Sequence, residues 1–406
     1  MNEPAVWRPP VDFLLGVATA GHQVDGDDVN GDWWDWEQVP GHIRGGVGSG
    51  PAVDHWRRYR DDISQMAAAG VRAYRFSVEW SRVEPAPGQW SGEALDHYRD
   101  MVAACHEHHL VPLIALFHFV LPRWLAHQGG WLSPATPRLF ARYAQRVAQA
   151  LPGVRWWVTV NEPLVYAVMG YVWGVWPPGR HDAGAALTVT RRLLLGHRLA
   201  RSAIRAESPD AQVGLAHHVV WFEPWDGRHA GDRLAAALQH RLFNWWAVDQ
   251  VGRDQDFVGV NYYARRWSRW RRPAEVLAPA LAKPGERTTD MGWTVYPEGL
   301  YLTLRRLGSR RLPVVVTESG IATDDDAWRV AFIRDHLAAV ARARGAGVDV
   351  RGYFYWSWLD NFEWADGFAP HFGLVRAGPG ADRQPRPSAA WYGDLGRPRP
   401  DQPGAR

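Results

Sequence analysis

Val154-Arg155-Trp156-Trp157-Val158-Thr159-Val160-Asn161-Glu162-Pro163 is a β-branched and aromatic run that ends on an amide and a carboxylate and is stopped by proline. It reads as a buried strand whose C-terminal end presents Glu162. A second stretch has the same form: Pro313-Val314-Val315-Val316 leads into Thr317-Glu318-Ser319-Gly320. Eight such runs punctuate the chain: Leu14–Ala18, Ala73–Val78, Val111–Phe117, Arg155–Asn161, Gln212–Ala216, Asp256–Asn261, Pro313–Glu318 and Arg351–Trp356. Helical patterns lie between most of them. Asp54–Ala69 carries Trp56, Tyr59, Ile63 and Met66 on one stripe and is closed by Gly70; Leu139–Leu151, Leu193–Ala206, Asp232–Val248 and Trp328–Ala343 read similarly. Strand and helix alternating eight times predicts an α/β protein, a single-domain (β/α)8 TIM barrel, with its active site at the C-terminal ends of the strands. Glu162 and Glu318 fall there, on the fourth and seventh runs.

Two carboxylates offered from strand ends are the minimum equipment for cutting a glycosidic bond, one to protonate the leaving oxygen and one to attack the anomeric carbon. With 43 acidic residues in the chain, such a pair also arises by chance, so its weight comes from its surroundings.

The 406 residues are 46% hydrophobic, enough for a large core, and the barrel is read over residues 1–377. Residues 378–406 are rich in proline and arginine and are expected to be a partly disordered tail, with Trp391 and Tyr392 as anchors for a last helix or loop. A net charge of +3 gives no argument for nucleic acid. Positive charge is carried almost wholly by arginine, Lys283 being the one lysine. Cys105 stands alone, so no intrachain disulfide is possible. Met1 to Pro10 lack the pattern of a signal peptide, and no apolar stretch reaches about 18 residues. The expectation is a cytoplasmic protein with no membrane partner. Oligomeric state is not readable from these features.

Several tempting signals fail on spacing. His106-Glu107-His108-His109 lacks histidines four apart on one helical face, so no metal is expected. Asp324-Asp325-Asp326 lacks calcium-loop spacing and reads as a helix N-terminus. No glycine-rich phosphate cradle is present, and no cofactor is implied. Arg265 to Arg272, which interleaves arginine with tryptophan, reads as a solvated loop near the barrel mouth whose tryptophans are available to a substrate's leaving group.

From Phe13 to Val375 the motifs resemble, in order, those of glycoside hydrolase family 1, the retaining β-glucosidase family. The opening strand is Phe13 to Ala20 with Gln23, and the second is Tyr74-Arg75-Phe76-Ser77-Val78-Glu79-Trp80-Ser81-Arg82. Thr159 to Pro163 resembles the acid/base motif, Thr317 to Gly320 the nucleophile motif, and Trp356 to Trp364 the last sugar-binding segment. The resemblance implies a small-molecule glycoside as partner, with terminal β-linked glucose, galactose or fucose released from an aglycone. It makes Glu162 the acid/base and Glu318 the nucleophile, supported by Arg75, Asn161 and Tyr263. Gln23, His118 and Asn161 would bind ring hydroxyls, Trp356 would be the stacking floor, and Glu363 and Trp364 would take the 4- and 6-hydroxyl side. Repulsion from a second carboxylate favours a protonated Glu162, while Arg75 and Tyr263 are expected to keep Glu318 ionised. Glu363, as a carboxylate, is expected to repel a 6-phosphate.

The chain departs from the family at Asp25, at Phe119-Val120 after His118, at Leu164, at Ser319, and in trimmed connections from Trp246 to Asn261 and Tyr263 to Trp293. A trimmed rim implies an open mouth and a bulky or varied aglycone. Two other readings stay open: transglycosylation onto a hydrophobic natural-product acceptor, and a catalytically silent sugar-binding barrel.

Overall fold

The structure is a computed structural model and describes residues 6–270 and 280–397. Eight parallel strands close a barrel in sequence order: β1 (Leu14–Ala18), β2 (Ala73–Ser77), β3 (Val111–Ala115), β4 (Trp156–Asn161), β5 (Gln212–Pro224), β6 (Phe257–Ser268), β7 (Val314–Ser319) and β8 (Val350–Trp356). Closure is made by β1 on β8, in register from Leu14 opposite Gly352 to Ala18 opposite Trp356. The strands are buried on both faces, the inner one filled by residues such as Leu113, Val158, Val315 and Phe354 and the outer one covered by helices. All eight predicted runs are strands.

The helix over His55–Ala69 buries Ile63 and Met66 and half-buries Trp56 and Tyr59, the predicted stripe. It stops at Gly70, whose φ of +107° suits a residue without a Cβ. Asp325 caps the helix Asp326–Gly345 by accepting from the Trp328 N–H at 3.0 Å.

Two expectations need correction. First, β5 and β6 do not end at Ala216 and Asn261. Their ladder runs on to Pro224 opposite Ser268, so a two-stranded ribbon rises above the barrel mouth. Val219-Val220-Trp221-Phe222 is as strand-like as the core runs. Second, Asp232–Val248 is not one regular helix. It is α-helical over Ala230–Gln239, widens to a π-helix over His240–Trp245, and returns to α over Trp246–Val251. The widened turn contains Asn244, whose Nδ2 donates to Val220 O at 2.7 Å and whose Oδ1 accepts from Val220 N at 3.2 Å. The amide thus pairs the ribbon's backbone as a neighbouring strand would. The last helix expected around Trp391 and Tyr392 is present over Pro387–Asp394. It packs beside β1 and β8 between the helices His55–Ala69 and Asp326–Gly345, with Tyr392 fully buried and its hydroxyl donating to Gly16 O at 2.7 Å. Arg386, buried, pairs with Asp360 at 2.8 Å. Residues 398–406 lie outside the described residues, as does the disorder expected there. Among the described residues, no helix is long and apolar enough to cross a membrane.

Candidate active site

The strands deliver their last side chains into a cavity of about 740 Å³ at the C-terminal face. Glu162 stands just beyond β4 with φ 45° and ψ 62°, a left-handed conformation that costs a residue with a Cβ about 1–3 kcal/mol. Local chemistry holds it there. Its N–H donates to Ala216 O at 2.8 Å, and Pro163, needing no hydrogen-bond acceptor, starts the helix Pro163–Tyr171.

Glu318, in β7, has both oxygens engaged: Arg75 donates to Oε1, and the Tyr263 hydroxyl donates to Oε2 at 2.7 Å. Close approach at Gly320 sets this strand end against β8, since a Cβ there would lie 1.9 Å from Trp356 O. Arg75 and Tyr263 therefore touch Glu318 as expected, but they do not fix its charge alone. Burial raises the Glu318 carboxyl above the ordinary range, Arg75 pulls it down, and the neighbouring Glu162 pushes it up again. The expectation that the two donors would dominate underrated the desolvation of a carboxylate at the bottom of a pocket.

Asn161 accepts at Oδ1 from Arg75 Nη2 (2.8 Å) and from Asn261 Nδ2 (3.0 Å). This fixes the orientation of its amide and leaves a buried Nδ2 that has no partner among the described residues. Asn261 Nδ2 also donates to Glu162 Oε1 at 2.8 Å, while its Oδ1 accepts from the Thr317 hydroxyl at 2.6 Å. His218 Nδ1 lies 3.0 Å from the same Glu162 oxygen. Asn261 and His218 were missed by sequence reasoning. Asn261 carried a usable signal, a polar residue closing the sixth run, whereas His218 lay past the point where the fifth run was ended.

On the opposite wall, Gln23 Nε2 donates to Asn361 Oδ1 (2.9 Å), Phe362 O (3.0 Å) and Glu363 Oε2 (3.2 Å), leaving its buried Oε1 without a partner among the described residues. His118 lies between two indoles, parallel to Trp356 at 5.7 Å and to Trp364 at 6.0 Å. Its buried Nδ1 has no partner among the described residues. Burial and then the charge of Arg75 hold this imidazole well below the ordinary histidine range, hence neutral. Trp364 is packed from behind by His22, stacked at 5.8 Å. Gln23, His118, Trp356, Glu363 and Trp364 line the same cavity as the two glutamates. Glu363 differs from expectation in charge. Burial, then Asp366 and Glu318, raise its carboxyl to about 8, so it is largely neutral at pH 7.

The outer half of the cavity is different in kind. Leu164, Val165, Val168 and Met169 from the helix after Glu162 face Val220, Phe222, Leu242 and Phe243 from the ribbon and the helix behind it. The arginine–tryptophan run is not a loop up to Ser268, since Arg265 to Ser268 belong to β6. Trp267 is buried, donates from Nε1 to Glu286 at 2.8 Å and lies under Lys283 Nζ at 3.5 Å, so it is not open to a substrate. Trp270 is exposed. Arg271 and Arg272 lie outside the described residues.

A parallel eight-stranded barrel that brings two glutamates to one pocket, ringed by amides, a neutral histidine and indoles, defines the class of the barrel glycoside hydrolases. The comparisons give the particular family: residues 7–255 and 248–399 match the profile of glycosyl hydrolase family 1, and the chain belongs to that family. It is 36% identical to the thermostable β-glucosidase B of Thermobispora bispora, over 96% of this chain and 90% of that protein. It is 32% identical to a bifunctional β-D-glucosidase/β-D-fucosidase of Bifidobacterium breve, over 94% and 97%. The solved structure of a β-glycosidase from Pyrococcus horikoshii superposes with a TM-score of 0.90 at 37% identity, covering 97% of this chain and 95% of that one. The chain is a retaining β-glycosidase, and the hydrolytic reading is favoured over glycosyl transfer and over a silent sugar-binding barrel.

Proposed function

We propose that the enzyme releases an unphosphorylated terminal β-glucosyl, β-galactosyl or β-fucosyl unit, with Glu318 as nucleophile and Glu162 as acid/base. The observation that carries the assignment is the different dressing of the two carboxyls. Both Glu318 oxygens are held by donors, Arg75 and Tyr263, which suits an ionised group aimed at carbon. Both polar contacts of Glu162 fall on Oε1, from Asn261 and His218, which leaves Oε2 to carry the acidic proton to the leaving oxygen.

In the first step a Glu318 oxygen bonds to the anomeric carbon as its bond to the aglycone oxygen breaks, and Glu162 gives its proton to that oxygen. The unpartnered Asn161 Nδ2 meets the sugar's 2-hydroxyl, a contact that strengthens in the transition state. Once Glu318 is an ester, the charge facing Glu162 is gone. Glu162 then takes a proton from water as the water oxygen bonds to the anomeric carbon and Glu318 leaves.

His118 and Gln23 serve the 3-hydroxyl side, while Glu363 and Trp364 serve the 4- and 6-hydroxyls. A protonated Glu363 both donates and accepts, which suits axial and equatorial 4-hydroxyls alike. Exclusion of a 6-phosphate does not rest on repulsion by Glu363, which is mostly uncharged at pH 7. It rests on the absence of a basic side chain beside Glu363 and Trp364 among the described lining residues. A desolvated phosphate dianion without a cation is strongly unfavourable.

The test is kcat/KM on 4-nitrophenyl β-glucoside, β-galactoside and β-fucoside, each 6-hydroxylated sugar also as its 6-phosphate. Turnover of the neutral sugars with little on the phosphates is expected. A preference for either phosphate would overturn the glycone reading and the role given to Glu363.

A further inference from the structure

The ribbon that walls the outer cavity carries two successive arginines with opposite surroundings. Pairing between β5 and β6 slips by one residue, from Val219 opposite Tyr262 to Trp221 opposite Arg265. The extra residue on β6 reverses its alternation, so Tyr263 and Arg266, three apart, face the same cavity. Arg265 is turned to the other side, where Glu286 (2.6 Å) and Glu223 (3.5 Å) neutralise it. Among the described residues Arg266 has no such partner. Its Nη1 is shut off from solvent with no acceptor among them, and its guanidinium lies 5.4 Å from the ring centre of Trp293. Trp293 in turn touches Tyr263, the residue bound to Glu318. Arg266 is the only arginine or lysine among the described residues lining the cavity. Most of the lining it shares in the outer half is apolar, with Leu164, Val168, Phe222, Phe243 and Leu281 among it, and such side chains cannot compensate a cation. Desolvation lowers its proton affinity to about 10, which still leaves it charged at neutral pH.

A desolvated guanidinium without an acceptor is costly, and a carboxylate satisfies it with two parallel charge-assisted hydrogen bonds. The Glu318 carboxylate, which must be ionised to attack, repels an anion at the inner end, so the anion must sit at the outer end. We propose, building on the β-glycosidase assignment, that the aglycone is an apolar aryl or alkyl body carrying a carboxylate, which Arg266 binds while the sugar occupies the inner pocket.

The experiment compares 4-(2-carboxyethyl)phenyl β-glycoside with its primary carboxamide, on whichever sugar the enzyme turns over best. The ethylene spacer keeps the two phenols nearly equal as leaving groups. Wild type should favour the carboxylate by about tenfold or more in kcat/KM. The ratio should fall to near one in Arg266→Gln and recover in part in Arg266→Lys, which restores charge without the planar fork. The free phenols, carboxylate and carboxamide, are also titrated into the same three proteins by calorimetry. That readout needs no turnover, so failure of the glycosidase assignment, seen as no cleavage of any aryl glycoside, stays separate from failure of the aglycone assignment. Equal affinity for the two phenols, no binding of the carboxylate, or a preference that survives Arg266→Gln overturns the proposal.

Discussion

The two halves of the cavity follow opposite rules. At the inner end nearly every polar atom is held by another: Arg75 links Glu318 to Asn161, and Asn261 links Asn161 to Glu162 and to Thr317. Among the described residues, Gln23 Oε1, His118 Nδ1 and Asn161 Nδ2 are left without partners there, and in the proposed function they take the sugar's hydroxyls. The outer end is walled mostly by aliphatic and aromatic side chains on one helix, one ribbon and the helix behind it, with Arg266 the one basic side chain among the described lining residues. A network fixes geometry to a fraction of an ångström and suits chemistry. An apolar wall adapts, and binds whatever can be removed from water. The inner end should therefore govern kcat and the outer end KM.

The strongest way to break that division is at Glu318. Glu318→Gly should lower turnover by roughly 10⁴-fold or more, because the covalent route disappears. Added azide should then give the α-glycosyl azide, attacking from the vacated face. A β-azide from this variant would overturn the assignment.

Glu162→Ala should lose roughly 10²- to 10⁴-fold on substrates with poor leaving groups and far less on activated aryl glycosides, which need little protonation. Azide should here give the β-glycosyl azide. Equal losses on both kinds of substrate would point to a different acid.

The same division explains what the chain let one read. Glu162, Glu318 and Asn161 stand at or just past the ends of strands that are strongly hydrophobic, so strand termination points at them, whereas Arg75 and Tyr263 lie inside β2 and β6 and were named by the family resemblance. The order of eight runs places their ends on one face of a barrel. The outer wall has no such handle. It depends on β5 and β6 running about eight residues past their expected ends, counted from Ala216 to Pro224 and from Asn261 to Ser268, and on a one-residue slip in their pairing. A slip leaves no mark in composition or periodicity, yet it decides whether Arg265 or Arg266 faces the cavity. Charge is equally hidden. Glu363 was legible as a sugar ligand, but its burial, which keeps it mostly protonated at pH 7, is a property of the packed neighbours and not of the motif.

The smallest expected effect belongs to the outer wall and sharpens the comparison most. Phe243 lines the cavity on the helix behind the ribbon and packs with Val220 and Phe222. In a series of n-alkyl β-glucosides from ethyl to octyl, the leaving alcohols are nearly equal in acidity, so chain length changes burial and little else. Each methylene laid on the wall is worth up to about 0.8 kcal/mol, or about fourfold in affinity. That contact is the same in ground and transition states, so it should lower KM and leave kcat flat. Phe243→Ala should flatten the fall of KM with chain length, by about tenfold or less at octyl. Glu162→Ala should depress kcat across the series and leave the slope of KM intact. If kcat instead climbs with chain length in the wild type, remote apolar contacts are helping the reacting centre, and the two halves of the cavity are coupled rather than separate.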